Sequence, residues 1–222
     1  ILFQTGKIRK LGRVDHGDAY LDNYELEQSR GITIFSKQAE IMLGDRPVTL
    51  LDTPGHVDFA AEMERTLQVL DYAILVVNGA DGVQGHTETL WRLLARYQIP
   101  TFIFVNKMDQ PGTDRAARLR ELQEKLSEHC IDFSEDRDEE VFGESLAMCD
   151  EVCLEHYLET GEVEEREIRR LIRERKAFPC HFGSALKEPE GVQELLATID
   201  RYLESPGYGE AFGAKVFKIT RD

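Results

Sequence analysis

Apolar positions along this chain cluster into short runs separated by longer amphipathic stretches, and that order predicts strands alternating with helices. Strand character shows at residues 38–43, 48–51, 73–77, 101–105 and 178–182, and helical periodicity at 59–70, 87–97, 116–129 and 192–203. Gly44-Asp45-Arg46-Pro47 punctuates the first two strands, which predicts an antiparallel hairpin. The later strand–helix alternation requires crossovers and so a mostly parallel sheet with helices on both faces, an α/β fold. Ala73-Ile74-Leu75-Val76-Val77 is apolar at every position, as a strand covered on both faces should be.

Two stretches break the pattern. Residues 114–176 form a long, charge-rich helical segment before the last strand. Within it, 162–176 is nearly all charge apart from the stripe Val163, Ile168, Leu171 and Ile172, so a solvated helix laced with ion pairs is expected. Gly207-Tyr208-Gly209 reads as a linker, and 213–219 alternates enough to begin a strand of a further domain.

Charge narrows the partners. With 27 basic and 42 acidic residues in 222, the net charge of −15 opposes wrapping by nucleic acid, which needs clustered Lys and Arg. No DNA partner is expected, although local RNA contact through a small patch remains open. No run of about 18 apolar residues suggests a membrane span, and Ile1-Leu2-Phe3-Gln4-Thr5 does not resemble a signal peptide. Cys130, Cys149, Cys153 and Cys180 lack paired metal spacing, so reduced thiols and a cytoplasmic setting are expected.

Chemistry concentrates at strand ends. Asp52-Thr53-Pro54-Gly55-His56 directly follows the run 48–51. A carboxylate at the end of such a strand can hold Mg²⁺ against phosphate oxygens. Gly55 lets a γ-phosphate approach the backbone, and His56 can orient an attacking water. Fifty residues on, 101–105 ends in Asn106-Lys107-Met108-Asp109. A carboxylate there can take two hydrogen bonds from the N1–H and exocyclic amine of guanine, a pattern adenine lacks. Asn106 can tie neighbouring loops together, and the Lys107 stem can cover the base. Gly183-Ser184-Ala185-Leu186, after the last strand, could offer backbone N–H groups to the guanine carbonyl; alone it would be an ordinary turn. Arg30-Gly31-Ile32-Thr33-Ile34 precedes the hairpin, and a Thr hydroxyl there is a small Mg²⁺ ligand on a segment that loss of the γ-phosphate would release. The polar, Gly- and Asp-containing residues 12–29 before it suit a mobile loop.

Residues 12–109 resemble the GTPase domain of translational GTPases. The likeness rests on Arg30-Gly31-Ile32-Thr33-Ile34, Asp52-Thr53-Pro54-Gly55-His56-Val57-Asp58-Phe59 and Asn106-Lys107-Met108-Asp109, with His rather than Gln after the Asp-x-x-Gly motif. Within that group the chain is similar to elongation factor G and, more closely, to the tetracycline-resistance ribosomal protection proteins. The resemblance implies that Thr33 and Asp52 serve Mg²⁺, Gly55 the γ-phosphate and His56 the hydrolytic water. It implies that Asn106, Lys107 and Asp109 read guanine, helped by Ser184, Ala185 and Leu186. GTP or GDP would be the bound nucleotide, and the ribosome the partner, with rRNA near His56. A monomer is expected. Residues 1–208 would be the GTPase domain with a helical insertion at about 114–176, and 209–222 a linker and the first strand of a β-barrel domain.

The phosphate-binding loop of this family, Gly-x-x-x-x-Gly-Lys-Ser/Thr, has no match. Gly6-Lys7 is followed by Ile8, and no Gly stands five residues before Gly6. In relatives that loop follows a first strand in the middle of the sheet, so the expectation is a longer protein cut at both ends. The alternative is a GTPase-like module that binds no nucleotide and serves a structural or partner-binding role.

Overall fold

The computed structural model describes residues 1–10, 21, 25–30, 32–205, 207, 209–214, 216 and 219. Of the loop expected over 12–29, residues 12–20 and 22–24 lie outside the described residues, whereas Glu25–Arg30 forms helix α1. The strand expected over 213–219 includes 215, 217 and 218, which also lie outside them. The chain divides into two compact units, Ile1–Leu70 with Tyr208–Asp222, and Asp71–Gly207.

In the first unit, β1 (Lys37–Leu43) and β2 (Arg46–Asp52) form the expected antiparallel hairpin, in register from Lys37↔Asp52 to Leu43↔Arg46. Gly44 turns the corner at φ 56°, a left-handed conformation that costs glycine little. Ala39, Ile41 and Leu43 are buried on one face of β1. A 3-10 turn, Val57–Phe59, leads into α2 (Ala60–Leu67), which buries Met63, Thr66 and Leu67.

The second unit is a four-stranded parallel sheet in the order β3-β4-β6-β5. Its strands are β3 (Ala73–Asn78), β4 (Thr101–Asn106), β5 (Cys130–Asp132) and β6 (Phe178–Phe182). Helices α3 (Gly85–Arg96), α4 (Arg115–Lys125) and α8 (Glu190–Tyr202) take the places their periodicity predicted. β4 is the centre of the core, with Phe102, Ile103 and Val105 fully buried.

β3 departs from the two-sided coverage its composition suggested. Leu75 and Val77 are buried, but Val76 on the opposite face is 58% exposed. The charged segment 114–176 is also more than helical. It holds β5, three residues at the sheet edge and too short to show a period, between α4 and three helices, α5 (Glu139–Ala147), α6 (Glu151–Thr160) and α7 (Glu165–Arg173). Asp114, Asp138 and Asp150 each start one of these helices by accepting backbone N–H bonds, from Ala117, from Glu140 and Val141, and from Cys153. Asp150 also binds Arg170 and Lys176, and those cations hold its carboxyl well below the usual range. The stripe on α7 faces inward, with Ile168, Leu171 and Ile172 buried, while Arg169 and Arg170 pair with Glu165 and Glu174, four residues away along the chain. The four cysteines are buried free thiols, and burial pushes Cys149 up to about 12 and Cys153 to about 11. No helix among the described residues is long and apolar enough to cross a membrane.

His181, in the middle of β6, is fully buried, and neither ring nitrogen has a hydrogen-bond partner. Glu194 on α8 approaches Nδ1 to 4.0 Å, too far for a hydrogen bond. Burial pushes the imidazole down to about 4; Asp132 opposes this, and Arg137 and Arg115 reinforce it. The folded state therefore keeps the ring neutral, while the unfolded chain takes up a proton below its ordinary value of 6.5. Stability from this group is complete above pH 6.5 and is lost as pH falls toward 4, by about 3 kcal/mol. Glu194, raised mainly by burial, contributes with the opposite sign. His181→Leu removes no hydrogen bond, and denaturant unfolding followed against pH should show a flatter acid limb in this variant. An unchanged slope between pH 6.5 and 4 would show that His181 does not carry it.

Candidate functional site

The residues singled out in the sequence fall into two groups, one in each unit. In the first unit, Asp52 closes β2 and is half-buried. Pro54 is buried, whereas Gly55 and His56 are exposed. A Cβ built on Gly55 would meet no atom within 4 Å, so the protein itself does not demand glycine there, and the open space suits a ligand approaching the backbone. His56 Nδ1 accepts from the Asp58 backbone N–H at 3.3 Å and lies 3.4 Å from Asp58 Oδ2. Nδ1 therefore faces both a donor and an acceptor of Asp58. The ring also tilts at 53° toward Phe59, with centroids 6.1 Å apart.

Thr33 is half-buried in the irregular segment between α1 and β1. Its hydroxyl and the Asp52 carboxylate are hard oxygen donors of the type Mg²⁺ takes. No group of three or more His, Cys, Asp or Glu poised to hold a metal occurs among the described residues.

In the second unit the geometry is tighter. The β3–β4 register ends on Asn78↔Asn106, and the β4–β6 register on Val105↔Phe182. The loops after β4 and β6 therefore leave the sheet side by side. Met108 N–H donates to the Gly183 carbonyl at 3.0 Å, and Gly183 N–H to that of Val105 at 3.0 Å. Asn106 Oδ1 accepts from the N–H groups of Lys107, at 2.8 Å, and of Ala185, at 2.9 Å. One side chain thus joins both loops, as the sequence suggested it could. Lys107 sits at φ 63°, a left-handed conformation that costs a non-glycine residue roughly 1–2 kcal/mol. Strain of this kind persists where the surroundings over-determine the backbone, and it collects at functional sites.

Asp109 is engaged from two sides. Lys187 Nζ lies 2.6 Å from Oδ2, and the Ser184 hydroxyl donates to the same carboxylate; Lys187 first and Ser184 second hold it below the usual carboxylate range. Ser184 is 3% exposed, and its carbonyl accepts from Glu188 N–H at 2.8 Å, which curls the loop back on itself. Ala185 and Leu186 are exposed. Sequence reading missed Lys187, since a lysine three residues after a serine carries no signal of its own. It missed Gly191 as well, although a glycine in the first turn of a helix was a visible cue.

This chain matches the family model described as the elongation factor Tu GTP binding domain over residues 1–205. It belongs to that family. Elongation factor G 1 of Bdellovibrio bacteriovorus is 36% identical to it over 254 aligned residues, covering 93% of this chain and 36% of that protein. The oxytetracycline resistance protein of Streptomyces rimosus is 37% identical over 251 residues, covering all of this chain and 37% of that protein. A crystal structure of a Thermus thermophilus protein superposes with a TM-score of 0.80 at 27% identity, over 92% of this chain and 37% of the other. The chain therefore spans little more than a third of the length of each relative. The resemblance to elongation factor G and tetracycline-resistance proteins, and the α/β fold with its parallel sheet, are borne out.

Gly191 in α8 packs against the loop that bears Ser184. A Cβ there would meet the Phe182 carbonyl oxygen at 2.3 Å and Gly183 Cα at 3.1 Å, both backbone atoms that cannot swing aside. Gly191→Ala should destabilise the domain by about 1–3 kcal/mol. Gly85→Ala, at a helical position with nothing within 4 Å, should be neutral or stabilising. Denaturant titration of both variants checks this, and equal midpoints would show that the close contact carries no weight.

Proposed function

We propose that this domain binds a guanine nucleotide through the Asn106–Asp109 and Ser184–Leu186 loops and serves ribosome-dependent hydrolysis of GTP to GDP and phosphate. The observation that carries the reading is the pairing of those loops. Asn106 fixes the loop after β4 to Ala185 in the loop after β6, and Asp109 is held ionised beside it. A charged carboxylate with both oxygens turned to one base suits the adjacent N1–H and amine of guanine. An adenine in the same place presents no such pair of donors and cannot take over the carboxylate from Lys187, which is a basis for rejection.

On this reading, guanine exchanges contacts as well as making them. Its N1 edge replaces Lys187 on Asp109, and its carbonyl oxygen competes with Asn106 for the Ala185 N–H. The stem of Lys107 covers the base, and Leu186 lines the same loop. In the other unit, Thr33 and Asp52 would hold Mg²⁺, which supplies neutralisation of charge on the phosphate oxygens. Gly55 offers its backbone N–H to the γ-phosphate. His56, its Nδ1 beside Asp58, would orient the attacking water through its other ring nitrogen for in-line displacement. The ribosome, the site of action we infer, would set the imidazole in that position.

Phosphate binding in this family uses a Gly-x-x-x-x-Gly-Lys-Ser/Thr loop, which the 222 residues do not contain. Fluorescent GDP and GTP are therefore titrated into the chain and into a form lengthened upstream by a strand and loop of that type. Weak or no binding by the chain and micromolar or tighter binding by the longer form are expected. Failure of the longer form to bind would remove the GTPase reading. In the longer form, Asp109→Asn should weaken GTP binding and shift preference toward xanthosine triphosphate, whose extra carbonyl suits an amide donor. Undiminished guanine preference would take Asp109 out of its assigned role.

A further inference from the structure

The residues that follow Thr33 are held by two glutamates from different helices. Glu27, in α1, is completely buried. Its Oε1 accepts from the backbone N–H groups of Ile34 at 2.9 Å and Phe35 at 3.1 Å, and its Oε2 pairs with the Lys37 ammonium. Its backbone carbonyl also accepts from Ile32 N–H at 3.3 Å. Burial alone would raise this carboxyl, but Lys37 and the two amides outweigh it and keep the group charged. The next amide along, Ser36 N–H, goes to Oε1 of Glu62 in α2 at 3.3 Å, while Oε2 of Glu62 binds Arg65 at 3.1 Å. Thr66 Oγ1 donates to the Glu62 carbonyl at 3.1 Å, which leaves the Ser36 hydroxyl to donate to Thr66 Oγ1 at 2.6 Å.

Three consecutive amides, those of Ile34, Phe35 and Ser36, thus end on carboxylates from two helices. α2 is the helix that follows His56 through the 3-10 turn. We propose that Glu27 in α1 and Glu62 in α2 are positioning residues that bind the segment following Thr33 between the two helices, so that the metal-directed Thr33 and the water-directed His56 gain and lose their order together. The roles of those two residues rest on the proposed function; the coupling itself does not. Side-chain acceptors suit a segment that must be released. Charge-assisted bonds are about twice as strong as neutral ones, and a buried carboxylate stripped of its donors is strongly disfavoured. Partial release of the segment is therefore worse than keeping it or losing it whole, which is the behaviour of a two-state element.

Amide hydrogen exchange by NMR on the chain as it stands tests this without any nucleotide, so failure of the GTP titration and failure of the coupling are told apart. Glu62→Ala should speed exchange at Ser36 by about three- to tenfold. It should also speed exchange at Ile34 and Phe35, whose own acceptor is untouched, while the ladder amides of the β1–β2 hairpin stay at their original rates. Glu62→Gln keeps an accepting oxygen and should return all three amides to near the original rate. Glu27→Gln, which keeps the shape of the buried group and loses its charge toward Lys37, should speed all three. Acceleration confined to Ser36 in Glu62→Ala would overturn the coupling, and so would equal acceleration through the hairpin, which would mean general loosening.

Discussion

Everything recognisable in the second unit depends on the pairing of β4 with β6. Parallel strands deliver their C-terminal ends to the same edge of a sheet, and the register Val105↔Phe182 brings two loops far apart in sequence to adjoining positions. Nothing in either loop alone would give the Asn106 side chain both of its backbone donors. Given the register, its Oδ1 finds Ala185 and the Lys107 amide together, and Lys107 can be held in a strained left-handed turn. Gly191 completes the arrangement from behind, because only a residue without a Cβ lets α8 approach the Phe182 carbonyl.

The first unit solves a comparable problem with different means. Its hairpin pairs the facing edges of β1 and β2 by ladder bonds, and that register begins at Lys37↔Asp52, after the stretch from Ile32 to Ser36. Amides of that stretch turn to glutamate side chains instead. A ladder is cooperative along its length and resists local opening, whereas side-chain acceptors on short helices can let one segment go without unravelling a sheet.

Much of this was legible in the sequence, and the reason lies in which forces set each feature. The hairpin, β6 and the helices α3 and α8 follow from local periodicity and turn residues, so 38–43, 48–51 and 178–182 could be read directly. The Asp caps of α4, α5 and α6 were open to reading for the same reason. β5 was not, since Cys130-Ile131-Asp132 is too short to show a period and is a strand only because β6 lies beside it. The exposure of Val76 on an all-apolar strand is likewise a property of the assembled sheet. Among site residues, Asn106 and Asp109 announced themselves by spacing, while Glu27, Glu62 and Lys187 did not. Their partners are backbone amides and a carboxylate brought to them by folding, and a glutamate in a charged sequence looks the same whether it is solvated or buried.

The contacts at Asp109 and Ala185 bear on what affinity this domain could have for a base. Both groups already have partners within the chain, Lys187 on the carboxylate and Asn106 on the amide. A ligand that met bare groups would gain two new bonds; one that meets occupied groups exchanges them, and the net gain is the difference. Such a site gives up strength but keeps discrimination. A base with the right donors replaces Lys187 at little cost, because Lys187 is largely exposed and returns to water. A base with the wrong donors has nothing to put in place of Lys187, so the lysine keeps the carboxylate and the base gains no bond there. Intramolecular partners therefore act as a threshold that only the complementary edge of a base can pass.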